Sequence, residues 1–295
     1  MAPREALRPL HATALVVALL AVSSAATLFK LSEAPPLVKA FYRLLLSTLL
    51  LAPFALFLKW SELRGLTRRD WLLLSGVGAV LALHFATWIA SLDYTSVASS
   101  LLFVTIHPVL IGLAAPFLLK ERTPALTWVG IVLALGGSAV IAVGDAGLGE
   151  MTLFGDALAF AGAVAFAVYL LSARSLRQRM SLLPYTFVVY GAASLTLLVL
   201  ALLFGDPLWG YPAEEYGVFL ALAVIPMIFG HTVINWVVKY VPATLVSVTI
   251  LGEPIVGSVI AYLVFSEAPS TGTLVGGALV LAGLLLAVKG SEQTA

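Results

Sequence analysis

Five ionisable side chains fall inside long apolar stretches of this 295-residue chain: Arg43, His84, His107, His231 and Glu253. A charge at the centre of a membrane helix costs about 2.5–3.5 kcal/mol even on the lenient insertion scale, so each is a candidate for function. Glu253 can exchange a proton or pair with an ammonium group; packing as a neutral acid bonded to Ser, Thr or a freed carbonyl is the structural alternative. His107 can relay a proton, or serve as a neutral hydrogen-bonding residue. His84 and Trp88 share a helix face four residues apart, as do His231 and Asn235, a spacing that suits a polar and aromatic cavity wall. Trp88 fits an interfacial aromatic belt as well, since all six tryptophans lie near the ends of apolar stretches or in a loop. Arg43 either snorkels to the nearer membrane surface or draws an anionic group such as a carboxylate into a cavity. Tyr169 offers an amphipathic wall or an interfacial anchor.

His107 and Glu253 each stand immediately before a proline, Pro108 and Pro254, in mid-stretch. Proline withholds a backbone donor and frees a carbonyl, so both helices can kink there as hinges. Paired interruptions in corresponding spans are the best sequence pointer to a binding site at the bilayer midplane.

Other chemistries lack their parts. With no cysteine there is no disulfide, thiolate metal site or cysteine nucleophile. The four histidines show no metal-ligand spacing, so no metal is expected. The run from Gly76 to Leu81 lacks the third glycine of a dinucleotide loop and no Walker A sequence occurs, so no nucleotide cofactor and no ATP-driven pumping are expected. A membrane protease would need a glycine-flanked nucleophile and a matched base helix, and neither is present. The chain reads as a non-enzyme without cofactors.

The elements that must position these residues follow from composition. Hydrophobic residues make up 61% and charged residues 11% of the chain, against about 25% charged in soluble domains. Mean hydropathy is +1.06. Such a chain cannot cover itself with polar surface, and lipid must take the place of water around it. Helix-length apolar stretches occur near residues 10–29, 38–58, 71–91, 97–119, 125–143, 154–173, 183–204, 216–238, 243–265 and 271–288. Each is too long and too continuous for a barrel strand. The expected fold is therefore all-α and integral to the membrane, with ten transmembrane helices. The first stretch has a competing reading as a cleavable signal peptide, from Arg4, Arg8 and the small residues Ser23 to Ala26.

Charge placement sets direction. With a cytoplasmic N-terminus, thirteen cations fall inside (Arg4, Arg8, Lys59, Arg64, Arg68, Arg69, Lys120, Arg122, Arg174, Arg177, Arg179, Lys239, Lys289) and two outside (Lys30, Lys39). The positive-inside rule then puts both termini in the cytoplasm of a cell carrying the protein in its inner membrane. The outside loops hold acids instead: Asp93, Asp145, Glu150, Asp206, Glu214, Glu215 and Glu267.

A shift of 146 residues lays Tyr94 on Tyr240, Pro108 on Pro254, Glu121 on Glu267, Gly130 on Gly276, Leu135 on Leu281 and Gly137 on Gly283. The chain thus divides into two five-helix repeats, 1–143 and 144–295. Five is odd, so the second repeat enters the membrane from the opposite side and the two are inverted. Removing the first span as a signal peptide would leave four helices matching five, which favours keeping it. Gly130, Ala134 and Ser138, and Gly272 with Gly276, form small-residue faces expected to serve helix packing.

The stretches Phe41 to Leu51 (FYRLLLSTLLL), Ser91 to Arg122 (SLDYTSVASSLLFVTIHP, closing in LLKER) and Gly230 to Glu267 (GHTVINWVVKYVPATLVSVTILGEPIVGSVIAYLVFSE) resemble the drug/metabolite transporter superfamily, specifically its EamA-type ten-helix exporters. The resemblance covers nearly all of residues 10–289 and is most specific in the second half. His107 departs from it, since relatives usually carry a small polar residue before the proline of helix four. The resemblance implies a basket-like fold, a central cavity between the halves, and export of amino acids or small amphipathic metabolites by alternating access. The expected partners are a small-molecule substrate, the lipid bilayer and protons, with no nucleic acid. An uptake carrier, an uncoupled facilitator and a non-transporting scaffold are the alternatives.

Overall fold

The computed structural model describes residues 8–91, 93–95, 97–145, 153–266 and 271–292, and every regular element among them is a helix. Lipid offers the backbone no hydrogen-bond partner, so each apolar stretch must satisfy its own amides, and the helix does this within one segment. The helical runs are α1 (Pro9–Lys30), α2 (Pro36–Leu58), α3 (Arg68–Ser91), α4 in two pieces (Val97–Val104 and His107–Leu118), α5 (Ala125–Asp145), α6 (Leu153–Leu176), α7 (Leu182–Phe204), α8 (Ala213–Val237), α9 in two pieces (Ala243–Ile250 and Glu253–Phe265) and α10 (Thr271–Glu292). Proline opens α1 and α2, where the missing donor costs nothing. Gly205, at φ +76°, ends α7, and the Asp206 amide donates back to the Ala201 carbonyl at 2.9 Å.

Eight runs are long and apolar enough to cross a membrane, and shorter apolar helices occupy Leu102–Leu118 and Ala125–Ile141. The protein is a multi-pass membrane protein. The span at 97–119, expected to kink at Pro108, is interrupted at residues 105 and 106, just before the proline-bearing turn. The matching break in α9 falls at residues 251 and 252, at the same place after a shift of 146. Arg4, Glu150 and Glu267 lie outside the described residues, and with them the Glu121–Glu267 match.

α5 and α10 run antiparallel and touch backbone to backbone. A Cβ placed on Gly130 would lie 2.5 Å from the Gly283 carbonyl oxygen, and one on Gly137 would lie 2.5 Å from that of Gly276. The reciprocal positions are equally tight, Gly283 against Gly130 and Gly276 against Gly137. Since Gly130 matches Gly276 and Gly137 matches Gly283 after the shift of 146, the two contacts join equivalent positions in reverse order. The seam therefore includes Gly130, Ala134 and Gly276 of the expected small-residue faces, and adds Gly137 and Gly283, because seven residues come back to nearly the same helix face.

α8 departs from regular geometry. Residues Ala223–Thr232 wind as a π-helix around Pro226, which cannot donate and would crowd the carbonyl four residues back. α2 serves the loosened backbone: Ser47 Oγ donates to the Ala223 carbonyl at 3.1 Å and Arg43 Nη2 approaches the Pro226 carbonyl at 3.4 Å.

Polar contacts gather at the two ends of the bundle. At one end Ser32 Oγ and the Glu33 amide donate to Glu215 at 2.5 and 2.7 Å, and Tyr42 OH donates to the Leu208 carbonyl at 2.7 Å. At the other, Arg179 pairs with Asp70 at 2.6 Å, the Ser181 amide donates to Glu62 at 2.7 Å, and Arg174 pairs with Glu121 at 2.7 Å.

Candidate functional site

A cavity of about 50 Å3 lies among α1, α2, α3, α4, α6, α8 and α9, room for roughly three water molecules. Its wall contains Arg43 from α2, His84, Phe85 and Trp88 from α3, Val104, Thr105 and His107 from α4, Phe166 from α6, His231 and Ile234 from α8, and Ile250 and Glu253 from α9. Four pairs in that wall are related by the 146-residue shift: Phe85 with His231, Trp88 with Ile234, Val104 with Ile250, and His107 with Glu253. The paired positions carry different chemistry.

The broken helices deliver two of these residues. His107 and Glu253 each begin the second piece of their helix, directly after the break. Pro108 and Pro254 cannot donate to the carbonyls four residues earlier, those of Val104 and Ile250, and both of these residues line the cavity. The Glu253 carboxylate makes no hydrogen bond or ion pair with any described residue.

The histidines converge on Phe166, with ring centroids at 4.6 Å for His107, 5.0 Å for His84 and 6.2 Å for His231. His84 Nδ1 lies 2.9 Å from the Gly162 carbonyl oxygen. A carbonyl only accepts, so Nδ1 carries the hydrogen and Nε2 is left as an acceptor in the neutral ring. Nδ1 of His107 and of His231 is buried without a partner among the described residues. Trp88 stacks on His84 at 6.1 Å with the planes 8° apart, and its Nε1 is likewise unpartnered. At 7% exposure Trp88 belongs to the cavity wall and not to an aromatic belt.

Arg43 does not snorkel. Its side chain is 1% exposed, and the guanidinium carbon stands 4.5 Å from the centre of the Phe85 ring, a cation–π arrangement. Packing of α2 against the π-helical part of α8 closes the route to the surface.

Asn235 and Tyr169, expected in the wall, lie behind it. Asn235 Nδ2 donates to Tyr169 OH at 2.6 Å and to Tyr190 OH at 3.1 Å, and Tyr190 OH is 3.1 Å from Thr232 Oγ1. Tyr169 then touches the wall through the rings of Phe166 at 6.0 Å and His231 at 6.3 Å. This network holds the wall in place. Arg177, just past α6, donates to the Asn235 carbonyl at 3.0 Å and to the Met180 carbonyl, and burial holds its pKa below the usual guanidinium value.

Sequence reasoning missed Phe85, Phe166 and Thr105. Phe166 was within reach, because it lies three residues before Tyr169 and shares its helix face. Phe85 was within reach too, three residues before Trp88 and matched to His231 by the shift of 146, whereas Thr105 gave no periodic signal of its own.

The comparisons with known proteins agree with this architecture. The chain matches the EamA-like transporter family twice, over residues 10–143 and 153–289. It is 28% identical over 250 residues to an uncharacterized transporter of Archaeoglobus fulgidus, covering 84% of each chain. It is 24% identical over 209 residues to the pseudopaline exporter of Pseudomonas aeruginosa, covering 69% of this chain and 70% of the relative. A solved crystal structure superposes with a TM-score of 0.81 at 21% identity, covering 97% of this chain and 99% of the other, a likeness of fold.

Proposed function

This chain belongs to the EamA-like transporter family, and from that premise we propose that it is a secondary exporter of amino acids or small amphipathic metabolites working by alternating access. The observation that carries the reading is the pair of helix breaks at residues 105–106 and 251–252, which deliver His107 and Glu253 to one cavity from equivalent places in the two halves. Two halves of similar build exchange conformations at little cost, so the cavity opens to one side and then the other. The repeats are 1–143 and 144–295, each of five helices, inverted across an inner membrane with both termini cytoplasmic. The reverse-order glycine contacts of α5 and α10 support the inversion, and the gathering of Glu62, Asp70, Glu121 and their partners at one end supports the sidedness.

In the cycle, substrate enters from the cytoplasm among Arg43, His84, Trp88, His107, His231 and Glu253, with Asn235 and Tyr169 bracing the wall. The halves rock about Pro108 and Pro254 and release it outside. Glu253 either carries a coupling proton or holds a cationic group, a role that an unpartnered carboxylate at this depth suits. About 50 Å3 admits no substrate of amino-acid size, so the cavity must widen before it takes one.

The test is reconstitution of the purified protein into liposomes and a screen of solutes with and without an imposed pH gradient. Outward flux that rises with the gradient is the expected result. Flux that ignores the gradient removes proton coupling, and a protein inert to every solute removes transport.

A further inference from the structure

Arg43 is the largest of the fully buried side chains and is held without a counter-ion. Among the described residues its guanidinium has one hydrogen bond, the 3.4 Å approach to the Pro226 carbonyl. Its Nε is buried and unpartnered, and no carboxylate lies within ion-pair distance. Glu253, the other formal charge in the cavity wall, is near enough to interact with Arg43 electrostatically but does not touch it. Burying a cation in this way is expensive, and an isolated guanidinium survives at membrane depth where something else completes it.

What completes it must enter from the cavity. Arg43 forms part of the lining, Phe85 covers one face of the planar group, and the Pro226 carbonyl and the π-helical backbone of α8 occupy another side. The remaining N–H donors form a planar fork, the geometry that matches a carboxylate by two parallel hydrogen bonds and matches an ammonium or an amide poorly.

We propose that Arg43 is the specificity-determining residue of the cavity and that it binds the carboxylate of the transported solute. The assignment rests on the transport reading above and narrows it: the cargo is a carboxylate-bearing amphiphile, and an amine or amide of the same shape is discriminated against. The Phe85 ring and the Ser47 and Arg43 contacts to α8 orient the guanidinium before the solute arrives, so little ordering cost remains at binding.

The experiment pairs each acid with its own amide in proteoliposomes: leucine with leucinamide, phenylalanine with phenylalaninamide, and 4-methylpentanoate with its amide. Each solute is tested as cargo and as competitor, on wild type and on Arg43→Gln and Arg43→Lys. A charged hydrogen-bond pair is worth enough that wild type should prefer the acid of a pair by at least about tenfold. Arg43→Gln should bring that ratio near one while a change in maximal rate alone leaves it untouched, and Arg43→Lys should restore part of it. Because the readout is a ratio within one preparation, a poorly folded variant lowers both members together, and size-exclusion profiles report the folded fraction. Flux or competition that is equal for acid and amide in wild type, or a ratio unchanged in Arg43→Gln, overturns the assignment and leaves transport standing. A wild-type protein inert to the whole panel overturns both.

Discussion

Glu121, just past α4, and Arg174, in the last turn of α6, form a 2.7 Å ion pair that also gathers the α8–α9 turn. Arg174 Nη1 donates to the Val238 and Lys239 carbonyls at 2.8 and 2.5 Å, and Glu121 Oε2 accepts from the Ala243 amide at 3.3 Å. One ion pair thus fastens the segment after α4 to α6 and to the α8–α9 turn at one end of the bundle. Glu121→Gln should weaken that closure by about 1–3 kcal/mol and raise the fraction open at this end roughly tenfold. The chain has no cysteine, so Ile234→Cys supplies a single thiol in the cavity wall. Its maleimide labelling rate should rise in the Glu121→Gln background; an unchanged rate would show that the pair does not bar the way.

Glu253→Gln keeps the shape of the side chain and removes its charge. Transport should fall by about tenfold or more while the thermal midpoint stays within a few degrees, since no described residue depends on the carboxylate for a bond. Wild-type rates in the folded variant would take Glu253 out of the cycle.

Pro254→Ala returns an amide able to donate to the Ile250 carbonyl and so to mend the break in α9. Exchange between open states should slow by about tenfold, with solute affinity changed by about twofold or less, as expected where no side chain of the cavity lining is replaced. A proportional change in both would make Pro254 part of the binding surface instead.

Sidedness can be read by impermeant thiol labelling of Arg68→Cys, Arg179→Cys and Glu215→Cys in intact cells and inverted vesicles. The first two should label only from the cytoplasm and the third only from outside. Arg68 and Arg179 reacting from opposite faces would undo the inverted topology and the transport cycle built on it.

Gly137→Val should be among the most damaging single changes, because the new side chain would meet the Gly276 carbonyl at 2.5 Å with backbone on both sides. Overpacking of this kind costs about 1–3 kcal/mol. Gly136→Val, next to it on an open face, should be nearly neutral, and equal thermal midpoints for the two would argue against a tight seam.

Much of the fold was legible because its signals are local. Hydropathy marks each span, and a proline in mid-span marks a break; Pro108 and Pro254 put both interruptions within two residues of where they occur. The cavity wall was legible in part for the same reason, since a rare ionisable residue in lipid must face protein. What stayed hidden depended on neighbours. The spacing of His231 and Asn235 places them on one face, but whether that face meets the cavity or the layer behind it depends on Tyr169 and Tyr190. The π-helix in α8 adds a residue to the turn and shifts the phase, so a 3.6-residue period carried across Pro226 points to the wrong side. Arg43 kept a snorkelling reading beside the cavity one because nothing in α2 reports that α8 covers it.

The α5–α10 seam carries a mechanical corollary. Where main chain lies directly on main chain, no side chain is available to yield, and sliding by even one residue would drive a carbonyl into a neighbouring Cα. This pair of helices therefore resists sliding, and the expectation is that it moves as one body.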